Sequence, residues 1–147
     1  MRCPCRKKSE SATYAACCKP YHDGIAVAPS AEALMRSRYA AFVLQNAAYL
    51  KATWHASTRP ERIDFTPGQE WLLLRVIRTR SDGDRATVEF IARSRVAGRM
   101  HEQHEVSRFV RIGGHWQYVD AEPAPGASRF NPPASAAAGG PCPATAW

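Results

Sequence analysis

Four cysteines lie within the first eighteen residues of the 147-residue chain, and the fifth is Cys142. Cys3 and Cys5 are one residue apart, and the adjacent pair Cys17 and Cys18 follows after a loop of eleven residues. Four thiolates in two close pairs are a ligand set of a closed tetrahedral zinc site, with Zn–S bonds of about 2.3 Å. Because protein sulfurs fill every position, the predicted zinc is structural and holds no activated water.

Three other uses of the cysteines compete with zinc: a redox dithiol, a disulfide pair and an iron–sulfur cluster. A thioredoxin-like motif needs two residues between its cysteines and a βαβ unit, and neither is present. Iron–sulfur ligands usually follow other spacings. His22 is either a substitute ligand or, the interpretation we prefer, a surface histidine after the cysteines.

The sequence also bears on compartment. It has no secretory signal core and no apolar stretch approaching the length of about 20 residues that a membrane span requires. We therefore expect a cytoplasmic protein without a membrane partner, in which a reducing environment disfavours structural disulfides.

The chain is basic, with 20 Lys and Arg against 13 Asp and Glu and a formal net charge of +7. Such a charge permits attraction to nucleic acid, acidic proteins or anionic ligands and identifies none of them. Most basic residues are scattered, which is typical of an ordinary basic surface. The tightest basic run lies among the cysteines, where we expect an acidic protein or ribosomal RNA to bind at Arg6, Lys7, Lys8 and Lys19.

Two predicted helices and four predicted strands follow the cysteines. Ser30 is the predicted N-cap of a helix with apolar residues at helical spacing (AEALMRSRYAAFVLQ), and Asn46 caps a second helix (AAYLKATW). Residues 55–70 contain Pro and Gly without a sustained period and predict a loop. The segments WLLLRVIRTR, RATVEFIARSRV, HEQHEVSRFVRI and HWQYVDAE predict strands, and their short links predict an antiparallel meander.

These elements predict an α+β fold, in which two helices cover one face of a curved antiparallel sheet. We call this domain the cone, and we call the four-cysteine segment before it, the predicted zinc site, the knuckle. The predicted boundaries are 1–24 for the knuckle, 29–122 for the cone and 123–147 for a tail. We expect a disordered tail, because its Pro-, Ala- and Gly-rich composition buries too little apolar surface.

A cone of this kind often encloses a pocket for a small anionic or aromatic ligand. An acid–base mechanism would pair His104 or His55 with Asp120, and Arg108 would hold an anionic substrate. We prefer the competing interpretation, in which Arg108 and Asp120 form a structural ion pair, Arg38 snorkels at the edge of the core, and the protein is no enzyme. The candidate pocket residues are Arg38, Tyr39, Trp54, His55, His104, Arg108, Tyr118 and Asp120.

The cysteine pattern resembles a known motif. Cys3-Pro4-Cys5 with Tyr14 and the Cys17-Cys18 pair is similar to the SEC-C zinc motif of the SecA translocation ATPase tail. Further segments, LMRSRYAAF, YL, TWH, EVSRF and WQYVD, resemble the YchJ family of small uncharacterised bacterial proteins, from Cys3 to about position 120. The resemblance implies a nuclear-transport-factor-two-like (SnoaL-like, cystatin-like) cone behind a zinc knuckle, and it implies no established reaction.

The chain departs from the family pattern in two places. The family has Gly-Ser-Gly-like residues and a shorter loop after the first cysteine pair, where this chain has RKKS and about three additional residues. Some relatives also end in a second complete knuckle, of which Cys142 is at most a remnant. The surface of the knuckle is therefore expected to differ from that of its relatives.

Overall fold

The computed structural model describes residues 1–7 and 9–124. Three helices precede four strands along these residues. The predictions for Lys8, for Cys142 and for the tail from position 125 onward lie outside the described residues. The elements are α1 (Lys19–His22), α2 (Ala31–Val43), α3 (Ala47–Ala52), β1 (Glu70–Asp82), β2 (Arg85–Val96), β3 (Arg99–Ile112) and β4 (His115–Pro123).

The two predicted helices begin at the predicted caps. The Ser30 hydroxyl accepts a hydrogen bond of 3.1 Å from the Ala33 amide, and the Asn46 side chain accepts one of 3.1 Å from the Tyr49 amide. Each cap satisfies a backbone donor that the first helical turn leaves without a partner. Between the helices, Gln45 has a φ of 56°, which turns the chain sharply.

The strands form one antiparallel sheet in the order β1-β2-β3-β4, as the meander predicts. Gly113 and Gly114 make the β3–β4 turn with φ values of 58° and 82°, a pair that suits a two-residue hairpin. β4 continues to Pro123, and the Ala124 amide donates to the His104 carbonyl oxygen at 2.9 Å. The sheet thus extends beyond the predicted boundary at 122.

The two faces of the sheet have different environments. Ala86, Val88, Phe90 and Ala92 of β2 are buried and alternate with partly or fully exposed residues. We call the buried side, on which α2 packs, the inner face, and the other side the outer face. The predicted α+β cone is confirmed, and within residues 1–7 and 9–124 no helix is long and apolar enough to cross a membrane.

Candidate metal centre and cone interior

The four N-terminal cysteines lie together. Their sulfur atoms all lie within 4.8 Å of one another, and none of these cysteines is in a disulfide. The Cys5 sulfur lies 3.6 Å from those of Cys3 and Cys18 and 3.5 Å from that of Cys17, and the Cys17 and Cys18 sulfurs are 3.9 Å apart. Four ligands at about 2.3 Å from a tetrahedral zinc would lie about 3.8 Å from each other. The cluster therefore fits one tetrahedral ion.

Local backbone turns bring the two cysteine pairs together. The Arg6 amide donates to the Cys3 carbonyl oxygen at 3.1 Å, which turns the chain directly after the first pair. The Cys3 amide donates to the Ala12 carbonyl oxygen at 3.0 Å, so the intervening loop folds back. The short helix α1 then begins at Lys19, directly after its N-cap Cys18, with Pro20 in its first turn. The additional loop residues leave the sulfur cluster intact.

The thiols perturb one another. The pKa of Cys3 is lowered, because Cys18 and Cys5 are within hydrogen-bonding distance of its sulfur. The pKa of Cys18 is raised, because its proton interacts with Cys3 and Cys5 and because burial disfavours a thiolate. Without a cation the four sulfurs cannot all ionise together, so a divalent ion would supply the charge that four thiolates need.

The candidate partner-binding cations are partly used within the knuckle. The Arg6 side chain donates to the Cys17 sulfur at 3.4 Å and lies 3.7 Å from the Glu10 carboxylate. Lys19 forms an ion pair with Asp23. Lys7 is exposed, and no ion pair of its side chain is found within the described residues.

His22 joins the knuckle to the cone. Its Nε2 lies 2.7 Å from the Ser37 carbonyl oxygen on α2, and its Nδ1 lies 2.7 Å from the Tyr14 hydroxyl. Because a carbonyl oxygen only accepts, Nε2 carries the proton and donates, and Nδ1 accepts from Tyr14. The preferred interpretation of His22 as a surface histidine is wrong, and its ring nitrogens are occupied by these partners. Arg36 adds a second link by donating to the Cys5 carbonyl oxygen at 2.9 Å.

Arg38 is a fully buried part of the core. Its guanidinium carbon lies 4.9 Å from the ring centroid of Trp54 and 4.5 Å from that of Tyr118. Nη1 donates to the Leu50 carbonyl oxygen at 2.9 Å and to the Thr53 hydroxyl at 2.7 Å. Burial lowers the pKa of Arg38 to about 10, so the side chain remains a cation at neutral pH. The snorkelling interpretation is wrong, because the guanidinium lies in the core, whereas the ligand-facing role of Arg38 stays a prediction.

The remaining pocket candidates do not converge. Tyr39 is buried against Trp71, with ring centroids 5.8 Å apart, whereas the His55 ring contacts the hydroxyl of Ser57 at 2.7 Å near the surface. His104 faces the outer side and lies 2.8 Å from the Glu89 carboxylate. The acid–base arrangement is thus not formed.

Arg108 and Asp120 form an ion pair on the outer face of the sheet. The guanidinium donates two hydrogen bonds of 2.6 and 2.9 Å to the carboxylate, which is the structural pairing that the preferred interpretation expects. Because the pair lies on the opposite side of the sheet from Arg38, it cannot bind a ligand inside the cone.

Two buried polar side chains inside the cone are absent from the predicted pocket list. Glu105 and Ser107 lie two residues apart on the inner face of β3, and each is at least nine-tenths buried. Within the described part of the chain, Oε2 of Glu105 and Oγ of Ser107 have no hydrogen-bond partner. Burial raises the pKa of Glu105 to about 8, so the carboxyl group is mostly protonated at neutral pH. The period-two alternation that puts His104 and Arg108 outside was the signal that these two residues point inward.

Two cavities open near the surface. A groove of about 680 Å³ has outer-face residues in its lining, including Arg80, Arg85 and Thr87. A cavity of about 420 Å³ lies where the knuckle meets the cone and is lined by His22 and Trp116, among others. Neither cavity is lined by Arg38.

Comparison with known proteins agrees with this architecture. The YchJ_M-like family, described as the middle NTF2-like domain of YchJ, matches residues 30–121. A UPF0225 protein of Polaromonas naphthalenivorans is 52% identical over 130 residues, which cover 82% of this chain and 96% of the relative. A UPF0225 protein of Methylibium petroleiphilum is 51% identical over 124 residues, covering 83% and 88%.

Two solved structures share the fold. A SEC-C motif containing protein from Rhodopseudomonas palustris superposes with a TM-score of 0.73 at 35% identity, covering 85% of this chain and 100% of that one. A SEC-C motif containing protein from Psychrobacter arcticus gives a TM-score of 0.68 at 28% identity, covering 88% and 86%. Each match covers a larger share of this chain than residues 29–122 alone would.

Proposed function

The chain belongs to the YchJ (UPF0225) family, and from that premise we propose that it is a binding module held together by one structural zinc ion at Cys3, Cys5, Cys17 and Cys18. The observation that carries the proposal is the spacing of the four sulfurs, which matches the edges of a tetrahedron around zinc. Bound zinc would supply positive charge and four bonds to the knuckle.

The donor set favours zinc over harder ions. Thiolates select soft or borderline metals, whereas calcium and magnesium prefer oxygen ligands. Three of the four cysteines are almost fully buried, and the Arg6 guanidinium donates to the sulfur of Cys17, the fourth. An N–H···S bond of this kind offsets part of the negative charge that four thiolates leave around a divalent ion.

Metal analysis of the full chain, purified without added metal, tests the zinc site. We expect about one zinc per chain in the wild type and none in Cys17→Ser/Cys18→Ser. Cys142→Ser is the matched control, since it removes a thiol outside the cluster and should retain the zinc. Iron in place of zinc, or a disulfide between cluster cysteines in the freshly purified protein, would contradict the proposal.

For the knuckle surface, we propose an acidic protein partner. Lys7 is exposed, whereas Arg6 and Lys19 already bind groups of the knuckle, so the partner would meet only part of the predicted basic surface. The test is a pull-down with wild-type protein and with Lys7→Glu. We expect the charge reversal to remove specific acidic partners while the zinc content stays at one per chain; identical partners for both proteins would exclude the knuckle surface.

A second candidate function is the binding of a small ligand inside the cone. It is favoured by Glu105 and Ser107, whose buried oxygens have no partner within the described residues and could bind a polar group. A thermal-shift screen with small carboxylates and phenols tests it. A ligand that stabilises the wild type and not Ser107→Ala would support this role; a ligand that stabilises both proteins equally would exclude these residues as its site.

A further inference from the structure

A row of arginines lies on the outer face of the edge strand β1. Arg75, Arg78 and Arg80 are paired across the sheet with Ile91, Glu89 and Thr87, which are outer-face residues of β2. Arg75 and Arg78 are three residues apart, so in a regular strand they would point to opposite faces. A β-bulge between Val76 and Arg78 restores the alignment and places all three on one face.

These arginines differ from their neighbours in their partners. Arg93, Arg95, Arg108 and Arg111 each form an ion pair with a carboxylate. Within residues 1–7 and 9–124, by contrast, the side chains of the β1 row form no ion pair, and neither does that of Arg85 on β2. Four arginines without a carboxylate partner among the described residues thus lie on β1 and the adjoining end of β2.

The row leads into the groove of about 680 Å³. Arg80, Arg85 and Thr87 contribute to its lining, and so does Asp82, which is paired with Arg85 across the sheet. From Arg75 to Arg80 the strand extends about 17 Å, at about 3.3 Å per residue. One line of cations of this length matches one line of phosphates on a single strand, whereas reading a duplex would need an element that enters a groove.

An edge strand also carries charges to prevent pairing with other sheets. That role is served by charges on either face and requires neither a common face nor a groove.

We propose that Arg75, Arg78, Arg80 and Arg85 bind the phosphate backbone of single-stranded nucleic acid. No Phe, Tyr or Trp side chain lies on the outer face of the described strands to stack bases, so the binding is independent of sequence. The proposal names a class of partner for the binding module proposed above, and it rests on that proposed function in this respect alone.

Fluorescence anisotropy with a labelled oligouridylate of about 15 nucleotides tests the proposal on the full chain. We expect Arg75→Glu/Arg78→Glu/Arg80→Glu to weaken binding at least tenfold at low salt. The slope of log affinity against log salt should also become less steep by about 2, since each single-strand phosphate contact contributes about 0.7. Circular dichroism of each variant checks that the sheet is retained.

Two control variants separate position from net charge. Arg99→Glu reverses an exposed arginine at the β2–β3 turn, remote from the row, and should change affinity less than threefold. Thr79→Arg/Arg80→Thr keeps the composition and moves one cation to the other face of β1, so it should weaken binding as Arg80→Thr alone does. Equal losses for Arg99→Glu and for the triple variant would overturn the proposal.

Three further results would also overturn it. The first is no binding of the oligonucleotide at low salt. The second is equal, arginine-dependent binding of poly-glutamate, which would assign the face to an acidic protein. The third is salt-sensitive self-association through the arginine row and the acidic edge at Asp120 and Glu122, measured by sedimentation. Zinc content is measured in parallel. If the zinc proposal is wrong, the zinc content will differ from one per chain, whereas the effect of the arginine variants on oligonucleotide binding can still be interpreted.

Discussion

The knuckle and the cone both bury groups that can carry charge, but they stabilise them differently. In the knuckle, four sulfurs that would all carry negative charge lie within 4.8 Å of one another, and Arg6 is the one cation found to donate to them among residues 1–7 and 9–124. In the cone, Arg38 is a single cation with two aromatic faces and two oxygen acceptors around it. An ion from solution would supply the positive charge that the knuckle lacks, whereas in the cone the protein itself supplies aromatic and oxygen partners to the buried cation.

The two regions are nevertheless joined through one packed interior. Cys3, Cys5 and Cys18 belong to the same buried cluster as Leu34 and Met35 of α2. His22 and Arg36 add hydrogen bonds across the boundary. The comparison thus predicts that folding of the knuckle depends strongly on the metal. The stability of the cone should depend on it less, through these contacts with the knuckle.

Removal of the metal should have the largest effect. A zinc chelator should release the ion and unfold residues 1–24, because folding of a small metal-bound segment draws mainly on ligation. The sheet should persist with a lower melting temperature, since the cone has its own core. Hydrogen exchange by mass spectrometry distinguishes the regions: fast exchange throughout β2 and β3 after chelation would mean that knuckle and cone unfold as one unit.

Truncation of Arg38 should have the next largest effect, this time within the cone. Arg38→Ala leaves a cavity between Trp54 and Tyr118 and removes a donor from the Leu50 carbonyl oxygen. We expect the free energy of unfolding to fall by about 3–5 kcal/mol. Urea denaturation measures it, with Arg99→Ala as an exposed control near zero; a loss below about 1 kcal/mol would show that the aromatic stack closes without the cation.

Arg38 also shows what sequence reasoning could and could not predict. Helix caps at Ser30 and Asn46, the strand alternation and the cysteine set follow from local spacing, and the structure contains all of them. The environment of Arg38 depends on Trp54 and Tyr118, which are 16 and 80 positions away. Periodicity within one helix reports which face is buried and gives no account of such distant partners.

The same limit applies to irregularities within a strand and to the contact between the knuckle and the cone. Period-two alternation correctly separates Glu105 from His104, but it puts Arg75 and Arg78 on opposite faces because the bulge between them is not encoded by alternation. His22 was assigned to the surface because its partner, the Ser37 carbonyl oxygen, lies on another element. Elements could therefore be predicted from the sequence, whereas contacts between elements could not.

The buried acid of the cone should make stability depend on pH. The pKa of Glu105 is raised by burial to about 8, above its unfolded value of about 4.3. Between these values the folded state binds the extra proton, so this contribution is fully present below about pH 4 and is lost as pH rises to about 8. The expected decline is on the order of 1 kcal/mol per pH unit in the free energy of unfolding.

Denaturation series between about pH 5 and 8 measure this slope in wild type and in Glu105→Gln. The amide has nearly the shape of the protonated acid and does not titrate, so the variant should lose the Glu105 part of the slope. Glu102→Gln is the exposed control and should keep the wild-type slope. Equal slopes in wild type and Glu105→Gln would show that Glu105 ionises in the folded protein as it does in the unfolded chain.

The smallest expected effect concerns the junction between the two regions. His22→Gln removes the ring that donates to the Ser37 carbonyl oxygen and accepts from Tyr14. Each hydrogen bond contributes about 1 kcal/mol, so we expect a loss of about 1–2 kcal/mol with the zinc retained. The control is His55→Gln, because the His55 ring is bonded to Ser57 alone within the described part of the chain; it should change stability by less than about 0.5 kcal/mol. If the two variants are equally stable by thermal denaturation, the packing of the cysteines on α2 holds the knuckle in place; a larger loss for His22→Gln assigns that role to the histidine.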